Sequence, residues 1–215
     1  MSKKHGAQRY SACSQVEAYW ESLRGGELVP NRSQIDPRGI EDALNYAFIL
    51  EAVGAGHARI RIAGMHLNEI LGMEVRGMPS SAFFTPASRN AFARTVQSAL
   101  ESPAVMRLTL RGEMSWGKPA LEAKMLLLPL RSDLGDITRI LGCLETIGPV
   151  GATPRRFELL GVEKRKLAQT EDKPLPAPEP KLAEPVLGCG EAPAAFEQKL
   201  SGVRPKRPSY LKLVK

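Results

Sequence analysis

Histidine and cysteine are the residue types from which a metal or nucleophilic site would be built, so their spacing comes first. His57 and His66 stand nine positions apart, with no second histidine, cysteine or carboxylate cluster at metal-ligand spacing around either. Cys13, Cys143 and Cys189 are odd in number, widely separated and form no CxxC, which argues against a disulfide framework or a zinc site. Cys143 lies in an apolar, strand-like stretch and reads as a small core residue. The stretch GAGHAR at 54–59 echoes a dinucleotide loop, but it lacks a third glycine and joins strand to strand, so no helix N-terminus is available to hold phosphate. GxxxxGK[ST], GxSxG and HExxH are all absent. The expectation is a chain with no catalytic residues, no metal ligands and no predicted cofactor.

The elements that would position a binding site are legible. Val16, Tyr19, Trp20 and Leu23 share one face at helical spacing, and Gly25-Gly26 stops that helix. Ser14 followed by Glu17 reads as its capping box. Asp36-Pro37 starts a short second helix, with Ile40 and Leu44 on its apolar side. Residues 46–53, YAFILEAV, read as a largely buried strand closed by the turn Gly54-Ala55-Gly56. In RIRIAGMHLNEILGMEVRG, residues 59–77, the rhythm is two-residue up to Gly64 and helical after it. Ile60 and Ile62 are read as facing one way and Arg59 and Arg61 the other; Leu67, Ile70 and Leu71 then form the stripe of a short helix. Thr85-Pro86 opens a helix over 86–101 with Phe92, Val96, Ala99 and Leu100 buried. Three more strands are expected at 105–111, 120–130 and 139–147, with Pro129 marking an edge or a bulge. Two strands, helices, then three strands fit a five-stranded antiparallel sheet with helices on one face, an α+β arrangement.

Domain boundaries follow composition. Residues 1–13 read as a flexible N-terminus, 14–150 as the folded domain with its N-terminal helix, and 151–215 as a proline-rich basic tail, largely disordered. The net charge of +7 is uneven: 17 Lys+Arg face 15 Asp+Glu up to residue 150, and 13 face 8 after it. No stretch approaches the roughly 20 apolar residues of a membrane helix, and no apolar segment follows the N-terminal lysines, so a cytoplasmic location and no membrane partner are expected.

The element order resembles that of a PAS domain. The resemblance narrows to single-domain PAS proteins of about 200 residues common in alphaproteobacteria and largely of unknown function. It is carried by YWESLRGGELVPNRSQIDPRGIEDAL at 19–44, FILE at 48–51, the 59–77 stretch, MLLLPL at 125–130 and LGCLE at 141–145. Phe83-Phe84 stands where that group often has Leu-Trp. The resemblance implies a sensory or protein-interaction module and no reaction. It also implies an internal pocket, for which Phe48, Ile62, Leu67, Phe92, Met106 and Cys143 are the candidate lining residues or equally plain core. Haem-binding members look like they place their ligand on the long helix, which here contains no histidine, and the flavin-binding class would need a cysteine within 65–77, where there is none. Tyr19, Trp20 and Leu23 either pack the N-terminal helix on its own sheet or pair it with a second copy, giving a homodimer. Arg24, Arg32 and Asp36 would cap or ion-pair around that segment. The expected function is a non-enzymatic regulator that meets a signalling or regulatory protein, with small-ligand sensing as a further option. The second reading is nucleic-acid association through the basic tail, against which stand its eight acids and the lack of any RRM, KH or helix-turn-helix pattern. The final RPKRPSYLKLVK is a candidate docking motif.

Overall fold

The structure, a computed structural model, describes residues 10–167. Its elements are helix α1 (Ser11–Arg24), two 3-10 turns (Arg32–Gln34 and Pro37–Ala43), strands β1 (Ala47–Gly54) and β2 (His57–Ala63), helix α2 (Met65–Leu71), a 3-10 turn (Ser80–Phe83), helix α3 (Pro86–Glu101), and strands β3 (Ala104–Gly112), β4 (Glu122–Arg131), β5 (Ile137–Ile147) and β6 (Phe157–Lys166). The strands form one antiparallel sheet in the order β2-β1-β5-β4-β3-β6.

The α+β, PAS-like sheet with its N-terminal helix is therefore present, with two corrections. The sheet has six strands, because residues 157–166, assigned by sequence to the tail, pair along the whole of β3. Both faces of the sheet are covered: α2, α3 and the 80–83 turn pack on the inner face, α1 and the 3-10 turns on the outer face. Residues 1–9 and 168–215, including RPKRPSYLKLVK and Cys189, lie outside the described residues. Among the described residues, no helix is long and apolar enough to cross a membrane.

The change of rhythm at Gly64 has a steric cause. A Cβ there would sit 2.2 Å from the Leu44 carbonyl and 2.3 Å from that of Asn45, so only glycine lets β2 pass this close before α2 begins. Gly142 serves β5 similarly, since the Phe48 ring lies where its side chain would be.

Helix α1 starts three residues earlier than the expected cap. Tyr10 is buried, the Ser14 hydroxyl donates back to the Tyr10 carbonyl, and Glu17 turns to Arg107 and Arg165 of the sheet instead of capping. Gly25, at φ 54°, ends the helix as expected. Asp36 caps the 37–43 turn as expected, its carboxylate accepting from the Arg38 N–H at 3.0 Å, although that turn is 3-10 and not α.

Three ion pairs then pin α1 to the outer face, Glu17 with Arg107 and Arg165 and Glu21 with Arg165, while Glu21 also pairs with Arg24 within the helix. Partial burial would raise the Glu21 carboxyl, but hydrogen bonds and charge from Arg165 and Arg24 outweigh it and hold it below its ordinary value. A carboxylate with a lowered folded pKa contributes stability above its unfolded pKa of about 4.3, and that contribution is lost as pH falls through the folded value. The pairs are partly exposed, so each contributes about 1 kcal/mol or less. The expected outcome is that α1 loosens below about pH 4, seen as a Trp20 emission shift in a Trp116→Phe background. Glu21→Gln should weaken docking at neutral pH and flatten that acid transition.

Candidate functional site

The six residues proposed to line a pocket do not gather in one place. Phe48, Leu67 and Phe92 meet inside the domain, with Met106 in the same core. The space they enclose is about 10 Å³, room for one water at most. Phe84 and Phe92 stack in the same core at 4.1 Å between ring centroids.

Ile62 and Cys143 lie on the other side of the sheet. Ile49 pairs with Ile62 but Leu50 pairs with Ile60, so Arg61 is an extra residue in β2. This bulge inverts the alternation: Ile60 is buried inside, and Ile62 is 51% exposed on the outer face. Cys143 sits with Leu141 in the outer core under α1. A hydrogen bond with the Cys13 thiol, then burial, pushes its own thiol far above the ordinary range, so it is no nucleophile.

The interaction candidates divide likewise. Trp20 is fully buried, and its Nε1–H donates to the Pro129 carbonyl at 3.0 Å. The Tyr19 hydroxyl accepts from the Asp36 N–H at 2.7 Å and donates to the Asp36 carbonyl at 3.1 Å. Leu23 packs against the outer core, and Arg24 holds the loop that follows α1 through the Glu27 and Leu28 carbonyls while lying 5.5 Å from the Trp20 ring centre. Helix α1 thus uses its apolar face on its own sheet, so that face does not present Trp20 to a second copy. His66 hydrogen-bonds Thr146 Oγ1 at 2.9 Å and stands edge-on to Tyr46, a packed structural role.

Arg32 lines an opening. Between the 3-10 turns and the outer face of β1 and β2 runs a groove of about 420 Å³, with Ile35, Ile40, Ile49, Ile62, Met65 and Leu141 in its wall and floor. A second hollow of about 460 Å³ shares Arg32, Ile49 and Ile62 with it, and adds Glu51, Arg61, Asp133 and Arg139. The two form one channel, apolar at one end and charged at the other. Glu51 bridges Arg61 and Arg139. The Arg139 hydrogen bond is the main cause of a Glu51 carboxyl held below its ordinary value, with Arg61 adding to it against partial burial.

Sequence reasoning named Ile62 and Arg32 but not this channel. Its floor depends on the bulge at Arg61, which no periodicity reveals. Chemically the channel can bind an apolar ridge flanked by acidic groups; among the described residues there is no cluster of His, Cys, Asp or Glu that could hold a metal ion.

The PAS domain family profile matches residues 8–145. Among solved structures, the light-state structure of the blue-light photoreceptor Aureochrome1 LOV aligns at 13% identity and TM-score 0.37, covering 52% of this chain and 88% of that one. An RNA-binding Light-Oxygen-Voltage receptor aligns at 16% identity and TM-score 0.38, covering 55% of this chain and only 35% of the receptor. No curated protein matches.

Proposed function

The chain belongs to the PAS domain family, and on that premise we propose that it is a non-enzymatic regulatory module that signals by protein–protein association at the outer channel. PAS domains are generally sensory modules. The observation that carries this reading is the contrast between the two sides of the sheet. The interior has about 10 Å³ free, which does not fit a flavin-sized group, while the outer face keeps about 420 Å³ of apolar groove open.

The occupant that fits is an amphipathic helix of a partner protein. The groove floor spans β1 and β2, about 10 Å at the usual strand spacing, and a helix with its side chains is about as wide. Its apolar ridge would lie on Ile62 and Met65, with Ile49 at the groove floor. Acidic side chains at one end would meet Arg32, Arg61 and Arg139, whose charge exceeds that of Glu51 and Asp133.

Affinity capture from the native host at native abundance tests this. Wild-type and Trp116→Ala baits are expected to enrich the same specific protein, and Ile62→Asp to reduce it about tenfold or more by placing a charge on the groove floor. Equal enrichment by Ile62→Asp would contradict the proposal, as would a stoichiometric small molecule in native mass spectrometry of the purified chain.

A further inference from the structure

Strand β6 closes one end of the sheet, and among the described residues its outer edge is covered only at its start. There the Thr85 N–H donates to the Phe157 carbonyl at 3.0 Å, and the Leu159 N–H donates to Ser88 Oγ at 3.1 Å. Beyond that point the phase of the strand is fixed by Leu167, whose N–H turns inward to the Pro103 carbonyl. Glu163 and Arg165, in the same phase, bond toward Arg107 and Val105 of β3. Val162, Lys164 and Lys166 therefore direct their N–H and C=O groups at the open edge, a template for a further strand.

A channel of about 230 Å³ runs beside this edge between α3 and β6. Ala91, Thr95, Met106 and Val162 line it, with Arg94 and Lys164 as its charged groups. Lys164 Nζ reaches Ser98 Oγ at 2.7 Å, and the acid at the end of α3, Glu101, is held by Gln97 at 2.8 Å. Small side chains on α3 leave room for incoming ones, and the cations set their sign. A second copy's β6 would bring its own lysines to the same edge, so self-pairing is disfavoured.

We infer that the free edge of β6, with the α3–β6 channel, docks an extended acidic segment of a partner protein, which adds as a seventh strand and places alternate carboxylates against Arg94 and Lys164. Backbone pairing supplies the affinity and the two cations the specificity. This surface lies at the opposite edge of the sheet from β2 and is independent of the outer channel.

The probe is a fluorescently labelled peptide of alternating glutamate and valine, titrated with the full-length protein at low salt and read by anisotropy. Saturable binding is expected. Lys164→Glu should weaken it about tenfold or more by reversing the charge at the edge. Val162→Pro should do the same by removing one outward N–H, a change an edge strand tolerates. Ile62→Asp should leave it unchanged, which separates this site from the outer groove. The inference is overturned if the peptide does not bind, if neither β6 variant weakens it, or if single-stranded DNA or polyglutamate binds equally well, since charge alone would then explain the affinity.

Discussion

Trp20→Ala is expected to lower the unfolding free energy by about 3–5 kcal/mol, the usual range for truncating a fully buried Trp in a core. Trp20 has no exposed surface, and it sits between Val16 and the outer faces of β4 and β5, among Leu126, Leu128, Leu130 and Leu141. Two costs add. The indole leaves a cavity too large for the neighbours to refill, and the Pro129 carbonyl loses its only side-chain donor from α1. Trp20→Phe separates them: it keeps most of the packing and loses only the hydrogen bond, so it should cost about 1–2 kcal/mol. Urea unfolding of the three proteins at pH 7 measures both values. Loss under 1 kcal/mol for Trp20→Ala would mean that α1 does not pack on the sheet as described.

Arg155→Leu should be comparably damaging, on the order of 3–5 kcal/mol, for a polar reason. Its guanidinium is wholly buried and donates to the carbonyls of Val150 at 2.6 Å, Glu113 at 3.1 Å and Pro119 at 2.8 Å. One side chain thereby ties the β3–β4 hairpin to the connection that leads into β6. Leucine fills part of the volume but leaves three buried acceptors unpaired. Burial lowers the Arg155 pKa, and the Glu113 charge opposes that shift. Arg155→Lys keeps the charge without the planar fork and should recover only part of the stability. Hydrogen exchange reads the local consequence: protection in β6 should fall before that in β1 and β5. Uniform protection in Arg155→Leu would contradict this role.

How legible this was in the sequence depended on whether a residue's neighbours were local. Helices α1 and α3 and strands β1 to β5 showed in their own patterns, as helical stripes, alternate rows or short apolar runs. Strand β6 did not show. FELLGVEKRK has only Phe157 buried, lies at an edge and ends in charges that read as tail, and its place depends on pairing with a strand some fifty residues earlier. The face of Ile62 was misassigned because the Arg61 bulge shifts the register by one residue, which a two-residue rhythm cannot encode. Glu17 looked like a capping residue because Arg107 and Arg165 are remote in sequence. The buried Arg155 was overlooked for the same reason, since all three carbonyls it satisfies belong to loops.

The interior is packed shut, and the open apolar groove lies on the outer face. Site-specific photo-crosslinking tests that arrangement most directly. With benzoylphenylalanine at position 62 of the full-length chain in its native host, the expected result is one discrete higher-mass adduct, absent when the same group stands at the exposed position 116. No adduct at position 62, or the same adducts from both positions, would contradict association at the outer channel.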